Sequence, residues 1–300
     1  MKRIAYHADG PGGSAIAAGL WRSDSWNYSP QELLNWIESA LEIGITTFDH
    51  ADIYGLYTNE ARFGEALKIN PSLREKMEIV TKCDICLVCD QKPEYRINHY
   101  NTTPEHIRQS VENSLRNLQT DYIDLLLLHR PDPLMDADST AGTLDELIKS
   151  GKVRHAGVSN FSPSQFDLLQ SRLDAPLVTN QVECSLHHLE PIFDGTFDHA
   201  QMNRITPMIW SPFAGGALFW GDDERAQRVR HTIGQLTEKY SASAAQIVIA
   251  WLLALPCNPQ PVLGTGKAER LQEAAAALEI KLDRQDWFEL LVASQGHPVP

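Results

Sequence analysis

The chain has 300 residues, of which 43% are hydrophobic and 22% are charged, and its formal net charge is −13 at pH 7. This composition is typical of a folded globular protein and argues against disorder. The excess of acidic residues also disfavours nucleic acid or an anionic membrane as the main partner, because such surfaces are bound by clustered Lys and Arg.

Two further features bear on where the protein works. No run approaches the roughly 20 apolar residues of a membrane helix, and the N-terminal segment lacks the apolar stretch of a signal peptide. Five cysteines, an odd number, argue for reduced thiols and against a disulfide framework. We therefore expect a cytoplasmic protein that makes no membrane contact.

Short apolar runs alternate with segments of helical period along the chain. A first strand is expected near residues 14–20, and a helix is predicted to follow, with Ser29 as its N-cap and Gly44 as its C-cap. Seven further strands are predicted at GITTFDH, MEIVTK, DYIDLLLLH, VRHAGVS, LVTNQVE, ITPMIWS and QPVLGTG. The helices predicted between them include residues 59–69, 104–118 (capped by Thr103), 144–150, 163–171 (capped by Ser162) and 242–255.

Eight strands, most of them separated by a helix, predict a single-domain (β/α)8 barrel of the TIM type, an α/β fold that spans residues 1–300. Apolar runs such as LLLL suit a parallel sheet that helices cover on its outer face. Two long connections, residues 83–103 and 212–223, follow the third and seventh strands. Loops of this length at the C-terminal ends of strands are usually functional.

Polar side chains stand where several of these strands end. Asp49 and Tyr54 follow the second strand, Lys82 closes the third and His129 closes the fourth. A charge that closes an apolar strand needs a partner, because an unpaired buried charge is strongly destabilising. In a barrel of this type the active site is built at these strand ends, so the four side chains are expected to meet.

The four residues make chemical sense together. A tyrosine, with an ordinary pKa of about 10, is a poor acid at neutral pH, and an adjacent ammonium lowers that pKa. Asp49 would hold Lys82 in place, and a neutral His129 would orient a carbonyl group and assist proton transfer. The acid would protonate an oxygen while a hydride reaches the neighbouring carbon. Because no side chain supplies hydride, a cofactor is required.

The motifs FDHADIYG, IVTK, LLLLHRPD, GVSNF, NQVE, WSPFAGGALF and GTGKAERLQE occur in this order. Between residues 19 and 273 the chain resembles the aldo-keto reductase superfamily, and within it the YdhF-type bacterial oxidoreductases most of all. The resemblance implies NADPH-dependent reduction of aldehydes or ketones to alcohols by direct hydride transfer. It makes Tyr54 the general acid, whose pKa Lys82 lowers. Asp49 then anchors Lys82, and His129 orients the carbonyl.

The resemblance also implies where the cofactor, NADP, binds. Ser159, Asn160 and Gln181 correspond to side chains that hold the nicotinamide carboxamide, and Trp210 corresponds to the ring that stacks on the nicotinamide. The segments that would contact the ribose, the pyrophosphate and the adenosine supply Gly19, Leu20, Trp21, Arg22, Ser211, Phe213, Gly216, Leu218, Gly264, Thr265, Gly266, Lys267, Arg270 and Glu273.

The adenosine end bears on the choice between NADP and NAD. Relatives often have Lys-Ser or Gly-Thr-Ser where this chain has GTG, and Asn where it has Ala274, so two contacts of the family differ here. Lys267 and Arg270 nevertheless suit a 2′-phosphate, because paired cations recognise phosphate through charge-assisted hydrogen bonds. NADP is therefore the expected cofactor.

Aromatic residues at the predicted barrel mouth suggest the substrate site. The pocket for a small-molecule carbonyl substrate is expected to consist of Trp21, Tyr54, His129, Phe219 and Trp220, with residues 95–100 as a lid. Pocket loops are where barrels of one family differ, so the substrate itself is not predicted. The protein is expected to be a monomer or a weak homo-oligomer.

Some motifs favour other interpretations. Cys83, Cys86 and Cys89 offer three thiols without the fourth ligand of a structural zinc site, so no metal is predicted. GPGGSA, from residue 10, lacks a preceding strand and a following helix, so it is not predicted to bind a dinucleotide. GTGKA lacks the spacing of a phosphate-binding loop. His50 and Asp52 are interpreted as structural.

Two other functions are compatible with parts of this pattern. Barrels of the same superfamily also serve as non-catalytic, NADP(H)-sensing subunits of larger assemblies, and such a subunit could keep every residue named above. A metal-dependent barrel hydrolase is disfavoured, because no HxH pair ends an early strand and a lysine closes the third. An oxidoreductase acting on carbonyl groups remains the main prediction.

Overall fold

Eight parallel strands form a closed barrel in the computed structural model, which describes residues 1–300. Each strand pairs with its neighbours in sequence, and the last pairs with the first. The predicted (β/α)8 barrel is thereby confirmed. The barrel strands are β1 (Ala17–Gly19), β2 (Thr47–Asp49), β3 (Glu78–Cys83), β4 (Ile123–Leu128), β5 (Val153–Ser159), β6 (Leu177–Glu183), β7 (Met208–Trp210) and β8 (Gln260–Leu263).

Helices surround the barrel and cover its outer face. They are α1 (Pro30–Ile43), α2 (Asn59–Ile69), α3 (Pro104–Leu118), α4 (Ala137–Lys149), α5 (Pro163–Gln170), α6 (Glu190–Phe193), α7 (Thr196–Asn203), α8 (Ala217–Trp220), α9 (Glu224–Tyr240), α10 (Ala244–Leu253), α11 (Ala268–Ala275) and α12 (Arg284–Gln295). Short 3₁₀ helices lie at Ser23–Trp26, Pro71–Lys76, Ala214–Gly216 and Ala276–Glu279. None of the helices is long and apolar enough to span a membrane.

The predicted helix caps are confirmed. Ser29 forms a capping box with Glu32 at the start of α1, and Gly44 ends that helix with a φ of 91°. Thr103 accepts a hydrogen bond from the backbone of α3, and Ser162 forms a capping box at the start of α5. These local signals were readable because each cap joins residues only a few positions apart.

Several elements differ from the sequence-based expectation. Helix α4 begins at residue 137, seven residues before the predicted start, because Asp136 caps it by accepting a hydrogen bond from the Ser139 backbone. Helices α6, α7, α8, α9, α11 and α12 were not among the predicted ones. A short strand (Arg3–Ala5) does precede the GPGGSA motif and pairs antiparallel with Gly12–Ser14, whereas no strand was expected there.

The core has an inner and an outer part, which strand β4 illustrates. All six of its residues are buried. Leu125 and Leu127 face the barrel interior, while Leu126 and Leu128 pack outward among the helices. This alternation follows from the two-residue period of a strand. Consecutive apolar residues therefore fill both the barrel and the layer between strands and helices.

Candidate active site

A cavity of about 730 Å³ opens at the C-terminal ends of the barrel strands. Asp49, Tyr54 and His129 line it, and Lys82 lies directly beneath them. The registers of β2 and β3 explain this meeting: Asp49 lies opposite Val80, so the side chain of Lys82, two residues further along β3, points to the same side. The four residues predicted from separate strand ends thus come together at the cavity floor.

Lys82 makes hydrogen bonds to two of the other three residues, Asp49 and Tyr54. Its Nζ atom, fully buried, donates to both Asp49 carboxylate oxygens at 2.9 Å, to the His50 carbonyl oxygen at 2.7 Å and to the Tyr54 hydroxyl at 3.1 Å. Burial alone would lower the pKa of Lys82, but Asp49 and Tyr54 outweigh burial and raise it. The lysine therefore stays an ammonium ion beside the phenol.

Burial also governs Tyr54. It raises the pKa of the phenol, and this effect exceeds the opposing effect of Lys82. Lys82 by itself lowers the pKa of Tyr54, as expected. Burial has the larger effect, so the pKa of Tyr54 is raised overall. A tyrosine with a raised pKa stays protonated at neutral pH, so it keeps the proton that a general acid must give.

His129 lies beside Tyr54, with the two ring centroids 6.0 Å apart and the rings nearly perpendicular. Burial lowers the pKa of His129 well below its ordinary value, and the charges of Lys82 and Arg130 act in the same direction. Its Nδ1 atom is buried without a hydrogen-bond partner. The imidazole is therefore neutral at physiological pH and suited to hydrogen bonding with a neutral oxygen.

A second network lies at the ends of β5, β6 and β7. Trp210 donates from its indole nitrogen to the Asn160 side-chain oxygen at 3.0 Å, and Asn160 donates to the Ser159 hydroxyl at 2.8 Å. Gln181 donates to Asp49 at 2.8 Å and so joins this network to the four residues around Lys82. All four side chains, predicted to hold a carboxamide and its ring, line the same cavity.

The loop after β7 closes one side of the cavity. Ser211, Ala214, Gly215 and Gly216 all have φ angles between 51° and 106°. Successive residues in or near the left-handed region turn backbone N–H groups into a concave surface that suits anions. Leu218, in the same connection, was predicted as a cofactor contact, but its side chain is fully buried in the core and does not line the cavity.

The remaining predicted cofactor residues divide into two groups. The Leu20 side chain, like that of Leu218, packs in the core, which leaves only the backbone of each for the predicted cofactor contact. Gly266 and Lys267 do not line the cavity either: the Gly266 carbonyl accepts a hydrogen bond from Tyr28, and Lys267 is exposed at the start of α11. The others all line the cavity: Gly19, Trp21, Arg22, Ser211, Phe213, Gly216, Gly264, Thr265, Arg270 and Glu273.

Trp21, Phe219 and Trp220 line the cavity mouth as predicted. Trp21 is 55% exposed and Trp220 is 84% exposed, so both present open aromatic surface to an entering molecule. Residues 95–100, predicted as a lid, do not line the cavity: His99–Tyr100 pairs with Ile85–Cys86, and of these four residues only Ile85 lines it.

Arg130 is a cavity residue that was not predicted. It directly follows His129 in the chain, and its guanidinium lies 5.7 Å from the centroid of the Trp210 ring. The sequence feature that could have indicated this role is the position of Arg130 immediately after a histidine that ends a strand. That signal was ambiguous, because a residue after a strand end faces either the cavity or the solvent.

His50 and Asp52 lie apart from the cavity. The His50 ring packs edge-on against Phe63, with centroids 4.4 Å apart, and burial lowers its pKa to about 3. Burial raises the pKa of the Asp52 carboxyl well above its usual range, and the nearby Glu60 adds to this effect. Neither residue lines the cavity, which agrees with the structural role assigned to them.

The cysteines of the CDICLVCD segment differ in their burial, Cys89 being only partly buried. Cys83 and Cys86 are buried, and burial raises the pKa of both thiols. The Cys86 Sγ atom lies 3.8 Å from the His106 Nε2 atom. No group of three or more His, Cys, Asp or Glu side chains is arranged to hold a metal ion.

Comparison with known proteins places this geometry in a family. The model of the Aldo/keto reductase family matches residues 15–291, which include every barrel strand. The chain belongs to the aldo/keto reductase family. The resemblance inferred from the motifs is thereby confirmed, and with it the classification of the protein among oxidoreductases.

Three curated aldo/keto reductase relatives are similar along nearly their whole length. The oxidoreductase YdhF of Escherichia coli is 50% identical over 100% of both chains. The uncharacterized oxidoreductase YcsN of Bacillus subtilis is 49% identical over 96% of both chains. A 6-dehydroglucose reductase of Agrobacterium fabrum is 47% identical over 95% of this chain and 96% of its own.

Solved structures agree on the fold. A crystal structure of an aldo/keto reductase from Klebsiella pneumoniae, in complex with NADP and acetate, has a TM-score of 0.79. It is 24% identical to this chain, and the match covers 100% of this chain and 97% of that one. At this identity the similarity supports the (β/α)8 barrel and no finer property.

Aldo/keto reductases use a nicotinamide cofactor, and the cavity has features that fit one. Arg22 and Arg270 line it without an ion pair to any carboxylate, which suits phosphate groups. The turns at Gly215 and Gly216 add left-handed backbone next to Arg22. The flat Trp210 ring and the side-chain amides of Asn160 and Gln181 suit an aromatic carboxamide. The residues present therefore fit the cofactor.

Proposed function

We propose that the protein reduces aldehydes or ketones to alcohols with NADPH, and that Tyr54 donates the proton. The observation that carries this proposal is the contact of the buried Lys82 ammonium with Asp49 and with the Tyr54 hydroxyl. It lies at the floor of a cavity large enough for a substrate and a cofactor. A buried cation, held by a carboxylate and touching a phenol, has an evident use in stabilising the phenolate.

In this proposal Tyr54 begins protonated, because burial raises its pKa. The carbonyl oxygen of the substrate accepts hydrogen bonds from the Tyr54 hydroxyl and from neutral His129. The nicotinamide cofactor, when bound, supplies the hydride. As negative charge develops on the carbonyl oxygen, Tyr54 transfers its proton, and Lys82 stabilises the phenolate that remains. Asp49 keeps Lys82 in position throughout.

Tyr54→Phe tests the proton donor. The substitution removes the hydroxyl and keeps the ring, so we expect kcat to fall by about 10²- to 10⁴-fold while NADPH still binds. NADPH oxidation against a panel of aldehydes and ketones measures turnover, and quenching of tryptophan fluorescence measures binding. A variant that keeps most of its kcat would refute the role of Tyr54.

The same assays address the sensing subunit, which the comparisons do not support. Such a subunit binds NADPH in its wild-type form and turns over no carbonyl compound. The aldehyde panel includes a neutral sugar aldehyde, because a 47% identical relative is named a 6-dehydroglucose reductase. Turnover of any member of the panel by the wild-type protein would favour the enzyme.

The preference for NADPH is proposed to come from Lys267 and Arg270, at the start of α11 after β8. Neither side chain makes an ion pair, and Arg270 lines the cavity. We expect the double variant Lys267→Ala, Arg270→Ala to weaken NADPH binding by about 10- to 100-fold and NADH binding by less than about 3-fold. Exposed Lys281→Ala serves as the control. Equal losses for both cofactors would place recognition of the 2′-phosphate elsewhere.

A further inference from the structure

Arg130 occupies a specific place in the barrel. It follows β4, which lies diametrically opposite β8 in the closed strand order, so it faces the segment after β8 across the cavity. Its side chain is partly buried and reaches far enough for the guanidinium to lie 5.7 Å from the Trp210 centroid. The cation therefore lies at the cavity, close enough to Tyr54 and His129 for its charge to lower the pKa of both.

The backbone N–H of Arg130 is hydrogen bonded, whereas its guanidinium is not. Its N–H donates to both carboxylate oxygens of Asp84 at 3.2 Å. Asp84 is buried directly after β3 and has a φ of 94°, a conformation that non-glycine residues adopt only under strain. The fold thus fixes the backbone of Arg130 beside His129, and the guanidinium lines the cavity.

The guanidinium lies over the Trp210 ring but has no anionic partner. It makes no ion pair and no hydrogen bond with any side chain, although the chain carries a net charge of −13. The charge of Arg130 opposes the burial that raises the pKa of the Glu183 carboxyl, but the two side chains form no ion pair. A partly desolvated, unpaired cation is costly, and a neutral hydroxyl compensates that cost far less than an anion does.

The cofactor does not account for this charge in the proposed arrangement. Arg22, Arg270 and the turns after β7 serve its phosphates, and all of them follow β1, β7 or β8. Arg130 lies beside Trp210 instead, the ring proposed to stack on the nicotinamide, and so at the end of the cavity where the substrate carbonyl would meet the hydride. What remains for Arg130 is the substrate itself.

We propose that Arg130 binds a carboxylate of the substrate, so that the natural substrates are aldehydes or ketones that carry a carboxylate group. The planar guanidinium matches a carboxylate with two parallel hydrogen bonds, which would fix the orientation of the carbonyl towards Tyr54 and His129. This inference rests on the proposed carbonyl reduction and names its substrate class. Arg130 is then the residue that determines specificity at this site.

Matched substrates test the inference. We expect the wild-type protein to prefer 4-oxobutanoate over butanal, and 4-carboxybenzaldehyde over 4-methylbenzaldehyde, by about 10-fold or more in kcat/KM. Arg130→Gln should reduce this preference towards unity, mainly by raising KM for the carboxylates, and Arg130→Lys should restore part of it. Arg204→Gln, at an exposed site after α7, is the matched control and should keep the preference.

Three results would overturn the inference. One is an equal loss in kcat/KM for charged and neutral substrates in Arg130→Gln. Another is a loss for the neutral polyol glyceraldehyde as large as that for 4-oxobutanoate, which would assign Arg130 to hydroxyl groups. The third is a weakening of NADPH binding by about 10-fold, which would assign it to the cofactor. Turnover of neutral carbonyls without any preference would refute this inference alone, whereas no turnover by the wild type would refute the proposed function as well.

Discussion

Asp49 and His50 are adjacent in the chain, and their side chains point in opposite directions. Asp49 turns into the cavity and holds Lys82, whereas the His50 ring points away and packs against Phe63. Both ring nitrogens of His50 are buried without a hydrogen-bond partner, so the ring is neutral and behaves as an apolar side chain. Its carbonyl oxygen still supports Lys82 at 2.7 Å. One residue therefore contributes to the site through its backbone alone.

The buried His50 predicts a pH dependence of stability. Below its ordinary pKa of 6.5 the histidine of the unfolded chain binds a proton, while the folded pKa of about 3 keeps the ring neutral. Stability therefore falls as the pH drops from 6.5 towards 3. From this group we expect a loss of about 2 kcal/mol in the free energy of unfolding between pH 7.5 and pH 5.

The substitution His50→Phe tests this contribution. The variant should lose less stability than the wild type over the same pH interval, as measured by urea unfolding. Exposed His231→Gln is the control and should follow the wild type. The prediction is wrong if His50→Phe shows the same pH dependence as the wild type, since other buried histidines would then carry the effect.

At the scale of elements, the close packing of α2 and α3 depends on one glycine. A Cβ atom added at Gly64 would collide with the backbone carbonyl oxygen of Asn117. Helix α2 also supplies Phe63 to the core and Asn59, whose side chain donates to the Leu20 carbonyl at 2.9 Å. The position of α2 thus bears on the strand ends that shape the cavity.

Gly64→Ala should be strongly destabilising, by about 2 to 4 kcal/mol, because the collision involves backbone atoms that cannot move without shifting a helix. Gly142→Ala in α4 is the matched control: its Cβ would meet nothing within 4 Å and its site is exposed, so we expect a gain of about 0.5 to 1 kcal/mol. Urea unfolding compares the two. Similar small effects at both positions would contradict the packing argument.

At the scale of the whole molecule, the two ends of the barrel have different tasks. The C-terminal ends of the strands carry the cavity, and the N-terminal hairpin (Arg3–Ala5 and Gly12–Ser14) lies at the other end. Tyr6, in the turn of that hairpin, is fully buried among residues that fill the barrel. Its hydroxyl donates to the Gln260 side-chain oxygen at 2.6 Å, which ties the hairpin to β8.

Tyr6→Phe should separate stability from function. The change keeps the ring but leaves the buried Gln260 oxygen without its donor, so we expect a loss of about 1 to 3 kcal/mol in the free energy of unfolding. Because the cavity is at the opposite end of the barrel, NADPH affinity should not change. Tyr100→Phe, at a partly exposed hydroxyl, is the control. A large loss of NADPH affinity in Tyr6→Phe would show that the two ends are coupled.

The alternation of strands and helices, the helix caps and the polar residues at strand ends were all readable from the sequence. Each of these signals comes from residues near one another in the chain, where periodicity and capping act. They sufficed to predict the barrel and to bring Asp49, Tyr54, Lys82 and His129 to one end of it. The order of the motifs along the chain then indicated the family.

Tertiary structure decided what depends on distant residues. The packing of neighbouring elements decides whether the side chains of Leu20 and Leu218 face the cavity or the core. Both side chains lie in the core. The net rise in the pKa of Tyr54 comes from burial, which no local pattern reveals. The same holds for Arg130: the sequence shows a cation after a strand, but only the folded barrel shows that this cation lines the cavity, beside Trp210 and without an anionic partner.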